Sequence, residues 1–200
     1  MWNGGWYRVA VRAAAMGCFA AVASAPAAWA AEPSTHIMRI VQEYCIANAG
    51  RPEAIIAAAT RDGWIDVPRE RPDSSRTFGK IIDGEQYVLV TSADVNRALP
   101  KVYDQSCVVA GKEAYDAVRR ELVAWVGSTP PAAKGREVGF AFLQEANGTR
   151  TPIALASVGG RPANELEKVR IIGLGDDGGL TSVIFGAMTL DRPPLLDVAR

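Results

Sequence analysis

Histidine occurs once in these 200 residues, at His36, and cysteine three times, at Cys18, Cys45 and Cys107. One histidine is too few for a multi-histidine zinc site or a histidine relay. Neither sign of charge is in excess, with 22 lysines and arginines against 22 acids. A nucleic-acid binder needs a basic footprint, and this chain has none. The Gly-x-Ser-x-Gly turn of the serine hydrolases is missing, so His36 has no nucleophile of that kind to serve. Strands and helices do not alternate in a βαβ rhythm, which excludes a doubly wound parallel sheet. What the chain has in quantity is apolar side chains, 48% of it. That suffices for a packed core and excludes wholesale disorder.

The apolar content is uneven. Arg8 and Arg12 are the only charges before Glu32, and the stretch from Ala13 to Ala31 is uncharged and mostly alanine. Ala28-Trp29-Ala30 places small residues where a signal peptidase reads, with cleavage between Ala30 and Ala31. Residues 1–30 therefore read as a secretory signal, and residues 31–200 as a single domain. Two other readings stay open. The uncharged run is long enough for an uncleaved anchor, although Pro26 interrupts it. Gly17-Cys18 has the spelling of a lipoprotein site, which would make an outer-membrane lipoprotein anchored at Cys18. Removing residues 1–30 takes two arginines and no acid, leaving 20 basic and 22 acidic side chains and a net charge of −2. No membrane span is expected in what remains.

Signal removal also leaves two cysteines, Cys45 and Cys107. In an oxidising compartment an even count reads as a disulfide, and with two the pairing is forced. The pair is not Cys-x-x-Cys, so a redox-active site is poorly supported.

The pattern of the remaining chain predicts helices first and strands later. Ser34 or Thr35 caps a helix whose inward stripe is Ile37, Ile40, Val41, Tyr44 and Cys45, ended by Gly50. Pro52 opens a second helix to Thr60, stopped by Gly63, with Trp64 as an apolar plug. Residues 67–78 read as a charged loop. Tyr87–Thr91 and Lys101–Ala110 read as strands. Lys112–Val126 is the clearest helix, with Tyr115, Val118, Leu122, Trp125 and Val126 inward and Arg119, Arg120 and Glu121 in water. Val138–Gln144 and Pro152–Val158 flank Asn147-Gly148, a strong hairpin signal. Ala163–Lys168 makes a helical turn. Val169–Leu174 and Leu180–Leu190 flank a second hairpin. The expected fold is α+β: a mostly antiparallel sheet of five or six strands, covered by the N-terminal helix pair and one long central helix.

Few motifs survive comparison with a plainer explanation. Gly173-Leu174-Gly175-Asp176-Asp177-Gly178 spells a dinucleotide fingerprint, but a strand-like segment follows where a helix is needed. Residues 173–178 are therefore expected to form a turn. Asp176 and Asp177 are too few for a calcium loop. Asn147-Gly148-Thr149 spells a glycosylation sequon, and its turn chemistry explains it. His36 reads as an exposed residue at a helix start. Asp62 with Asp66, Asp116 with Glu113, and Glu165 with Glu167 are available as carboxylate pairs, a feature of little specificity. No catalytic residue, metal ligand or cofactor site is singled out.

The order of a helical cysteine, a Gly-Trp after a short second helix, and a strand cysteine before an amphipathic helix is carried here by Cys45, Gly63-Trp64 and Cys107, over residues 36–127. It resembles a family of exported proteobacterial proteins with no established activity. The resemblance implies an envelope protein, and it transfers no catalytic residue.

The functional expectation is a non-catalytic periplasmic or secreted protein that binds an unidentified envelope protein or small ligand. The alternative is a periplasmic hydrolase using paired carboxylates. A shallow apolar patch with a polar rim would mark the first, and a deep pocket with converging carboxylates the second.

Overall fold

A computed structural model describes residues 33–68, 74–99, 101–127 and 136–198. The predicted signal, its cleavage point at Ala30 and Ala31, Cys18, and the Ser128–Pro131 helix stop lie outside the described residues.

Thr35 caps the first helix, α1 (His36–Ile40), with its hydroxyl accepting from the Met38 N–H. The helix does not run on to Gly50 as a regular α-helix. It widens into a π-helical segment, Val41–Ile46. There the backbone bonds run from Ala47 N–H to Gln42 O and from Gly50 N–H to Cys45 O. A widened turn holds more residues on one side, and Val41, Tyr44 and Cys45 are all buried. Gly50 closes the turn with φ +74°. A Cβ there would also sit 3.2 Å from the Ala187 Cβ, so the position suits only glycine. Pro52 opens α2 (Pro52–Arg61), where a missing N–H costs no bond.

The strands are β1 (Ile65–Asp66), β2 (Ser75–Ile82), β3 (Glu85–Val95), β4 (Tyr103–Gly111), β5 (Val138–Gln144), β6 (Arg150–Ile153), β7 (Val169–Asp177) and β8 (Leu180–Thr189). They form one antiparallel eight-stranded sheet in the order β1-β2-β3-β4-β8-β7-β5-β6. Mostly sheet with a few helices, the architecture is compatible with the α+β class. The remaining helices are α3 (Tyr115–Val126), α4 (Ala163–Leu166) and α5 (Leu195–Val198), with a 3₁₀ segment at Leu155–Gly160.

Several sequence expectations need correction. Part of the expected loop at 67–78 is strand: β2 begins at Ser75, and the Val67 N–H bonds to Thr77 O. Its hairpin to β3 turns at Asp83-Gly84, both with positive φ, as a tight two-residue turn requires. The strand after Asn147-Gly148 is only Arg150–Ile153, and Leu155–Gly160 coils into 3₁₀. Residues 173–177 are strand rather than turn; the chain reverses at Gly178-Gly179, which both take positive φ. No helix follows, so the dinucleotide reading fails on structure as well. The central helix starts at Tyr115, three residues late, and ends at Gly127 in the left-handed conformation.

Register sorts the side chains by face, because residues directly opposite each other point the same way. Tyr87, Leu89, Val109, Cys107, Val183, Phe185, Leu174, Ile172, Phe140 and Phe142 share one face. They are buried in one cluster with Ile37, Val41, Tyr44, Ile55, Trp64, Val118 and Leu122. Cys45 and Cys107 stand at disulfide distance inside it, with Cα atoms 5.5 Å apart. Opposite Tyr87, a Cβ on Gly111 would lie 2.6 Å from the tyrosine ring, so a glycine lets that ring lie flat on β4. Trp64 is buried, edge-on to Tyr44 with ring centroids 5.5 Å apart.

Candidate functional site

Five of the six carboxylates offered by the sequence are held by a partner of their own. Asp62 accepts from the Tyr44 hydroxyl at 2.9 Å and from Arg61. Those bonds hold Asp62 below the usual carboxylate range. Burial, with the Asp62 carboxylate, pushes Tyr44 up to about 12. Asp66 pairs with Arg76, and Glu165 with Arg161. Glu167 accepts the Leu190 N–H. Glu113 accepts the His36 and Ile37 N–H groups and the Tyr87 hydroxyl, while Asp116 is exposed. Acid–base chemistry requires carboxyls free to exchange protons with substrate, and five of these six are engaged elsewhere.

His36 is half-buried rather than exposed. Its ring tilts on Tyr87 with centroids 5.4 Å apart, and Nε2 lies 3.2 Å from Asp83. Glu121 is likewise not fully wet. It reaches from α3 to the start of α1 and accepts from the Ser34 and Thr35 N–H groups at 3.0 and 3.2 Å, and from both hydroxyls. Burial acts to raise Glu121, but these hydrogen bonds outweigh it and hold the carboxyl below its usual value. A lowered folded value means stability that is present above the unfolded glutamate range and lost as pH falls through the folded value. The stability gap between wild type and E121Q is therefore expected at neutral pH and should close below about pH 4. Thermal unfolding of both proteins across that range checks it; a gap that persists unchanged into acid contradicts it.

One cleft of about 310 Å³ opens beside the ends of β4, β7 and β8. Arg51, Arg170 and Arg192 line it together with Glu53, Glu167 and Asp191, so its charges balance. Glu53 is used by the Leu195 N–H, and Arg170 donates to the Glu167 and Val169 carbonyls. Burial lowers the Arg170 value, against the pull of Glu167. The cleft is internally neutralised, with as many arginines as acids along its lining. Among the described residues no group of three or more His, Cys, Asp or Glu side chains is placed to hold a metal ion.

The second candidate is the other face of the sheet. Three rows of directly paired residues cross it. One runs Ile65, Gly79, Val88, Ala110, Ser182, Gly175. The next runs Thr77, Val90, Val108, Ile184, Gly173, Gly139, with Val67 flanking Thr77. The third begins Ser75, Ser92, Ser106, Gly186. No charged residue occupies any of these positions. An antiparallel sheet with one solvated face normally alternates apolar and polar, and here the alternation fails. Val88, Val90, Val108, Ala110 and Ile184 are half-buried, yet they belong to none of the packed clusters of the described residues. Among the described residues no packed layer lies on them. At the edge Ile65 and Ile81 are 72% and 73% exposed.

The face has a boundary. At its far corner Ala141, Val169 and Met188 are covered by Val158 and Leu166 from the segment that holds the 3₁₀ turn and α4. At another side Asp94 and Asp104 stand opposite each other on β3 and β4. Burial, and then the Asp94 charge, raise Asp104, against the hydrogen bond from Asn96. The arrangement is an uncharged floor with a charged rim. The sequence pattern does not disclose it, because residues 67–78 read as loop and hide the start of β2, and because the β4–β8 and β7–β5 pairings join strands distant in the chain. The one local signal was the run Tyr87-Val88-Leu89-Val90, apolar on both faces.

Comparison with known proteins finds no matching family model, no similar curated protein and no similar solved structure. No helix of the described residues is long and apolar enough to cross a membrane.

Proposed function

We propose that the chain is an exported, non-catalytic binding protein of the cell envelope, periplasmic or secreted, that holds an uncharged partner on the open face of its sheet. In this reading the N-terminal helix pair and α3 form a covering layer on one face, and the opposite face is left for binding. The observation that carries it is the uncharged floor centred on Val108, in a chain where 22% of residues are charged. Exposed contiguous apolar surface in a folded protein marks an interaction site. Export and membership of the Cys…Gly-Trp…Cys envelope family rest on the leader sequence, on the Cys45–Cys107 pair and on the resemblance of residues 36–127. The hydrolase alternative loses its main support because five of the six candidate carboxylates are tied to N–H groups, a hydroxyl and arginines. The test is an apolar dye, anilinonaphthalene sulfonate, titrated into dilute folded protein. Wild type is expected to bind it saturably and V108K about tenfold more weakly or not at all, because a buried charge is costly. Equal binding by both contradicts the reading.

A further inference from the structure

We infer that the open face is the interface of a symmetric dimer, two copies of this chain packed sheet to sheet around Val108. The inference rests on the reading of that face as a binding surface and names its occupant.

The first argument is area. From β1 to β7 in spatial order the floor, on which no packed cluster of the described residues lies, spans six strands. With strands about 4.8 Å apart and same-face residues about 6.8 Å apart along each strand, the floor is on the order of 600 Å² in projection. One side of a standard protein–protein interface is about 800 Å² of accessible surface, which a corrugated floor of that projection approaches. A small ligand would leave most of the floor wet.

The second argument is charge. Specific hetero-partners are commonly chosen by complementary charge, and the floor offers none to read. A two-fold contact lays the same patch on itself. An uncharged patch meets that demand without like-charge repulsion, whereas a patch of one sign would not. Its polar groups, Thr77, Ser92, Ser106 and Ser182, are uncharged hydroxyls, and Ser92 and Ser106 bond each other at 2.6 Å within the chain.

The third argument is relief. Val88, Val90, Val108 and Ile184 form a ridge, and the half-buried Gly139 and Gly175 leave a furrow beside it. The furrow does not arise from crowding within the fold. A Cβ on Gly139 would meet nothing within 4 Å, and one on Gly175 would only touch the Ser182 hydroxyl at 3.6 Å. Neither glycine has positive φ. The fold itself thus has no need of glycine there, while a closely approaching second sheet does.

Sedimentation of the full chain after removal of its leader tests this. Wild type is expected to show a reversible monomer–dimer equilibrium with no larger species, since a two-fold contact closes. V108K should weaken the dimer about a hundredfold, as expected for a charge buried at the centre of an interface. G139V adds apolar surface at a half-buried position with open space around it, so generic stickiness would strengthen with it; a fitted dimer should weaken about tenfold or more. Circular dichroism should show both variants folded. A monomer at all concentrations, or a dimer unchanged by both variants, overturns the inference. If the protein is monomeric yet binds the dye in a manner lost in V108K, the binding surface stands and the dimer falls. If it is monomeric without such binding, both fall.

Discussion

Serine at Cys45 or Cys107 is expected to lower the unfolding free energy by ~2–5 kcal/mol, and serine at both by about the same amount. The two residues are 62 positions apart, and closing a loop of that length in the unfolded chain is worth about 4 kcal/mol. That is a large share of the ~5–15 kcal/mol that holds a domain folded. Both cysteines are fully buried, Cys45 in the π-helical segment and Cys107 in β4, near the middle of the strand order. The bridge therefore ties the segment that begins the fold to the interior of the sheet. Chemical denaturation of the two single variants and the double variant measures the effect. Additive losses would mean that the cysteines act separately, through packing alone. Thiol titration of denatured, unreduced protein lacking its leader gives a second reading: no free thiol is expected, and two per chain would contradict the bridge.

Removing the Glu113 side chain is expected to be nearly as damaging, at ~2–3 kcal/mol for Glu113→Ala. Its carboxylate accepts the His36 N–H at 2.7 Å, the Ile37 N–H at 3.1 Å and the Tyr87 hydroxyl at 3.0 Å. The first two belong to the opening turn of α1, whose N–H groups have no partner inside the helix. The third sits on a tyrosine that is 2% exposed, so its hydroxyl has no water to turn to. Burial and the Glu113 carboxylate raise Tyr87 well above the usual tyrosine value, which keeps the hydroxyl a donor. Glu113→Gln keeps one acceptor oxygen and should cost about 1 kcal/mol. In the background of Tyr87→Phe the Glu113→Ala loss should shrink, because one of the orphaned groups is already gone. Losses that add fully across that cycle would show that the tyrosine and the glutamate are not coupled.

These two residues show what the sequence could and could not disclose. The cysteine pair was legible because removal of the predicted leader would leave two thiols and the stripe Ile37, Val41, Tyr44 points Cys45 inward. Glu113 was not, because its partners lie 77 and 76 residues upstream and 26 upstream, beyond any local periodicity. Gly50, Pro52 and Asn147-Gly148 marked local boundaries by their backbone preferences alone. The widening at Val41–Ile46 left no mark, since an i, i+3, i+4 stripe reads as one α-helix whether or not a turn is enlarged. In β2 the charged tract before Ser75 and the glycine inside Phe78-Gly79-Lys80-Ile81 masked a strand. The Asp83-Gly84 turn between two apolar runs was the available sign of it. The open floor depends on register between strands that are far apart in the chain. Val88, Val90, Val108 and Ile184 become neighbours only once β4 pairs with β8, and no turn or period announces that pairing.

The central claim is that this floor is the working surface of the protein, and the dye titration reaches it most directly. It is best run on dilute wild type, on V108K and on a control with a charge change on the covered side, Arg120→Glu, at an exposed position of α3. The account predicts saturable binding by wild type and by R120E, and binding about tenfold weaker or absent in V108K, with all three melting at nearly the same temperature. Dye binding that is equal in all three proteins, or absent from wild type, would contradict it.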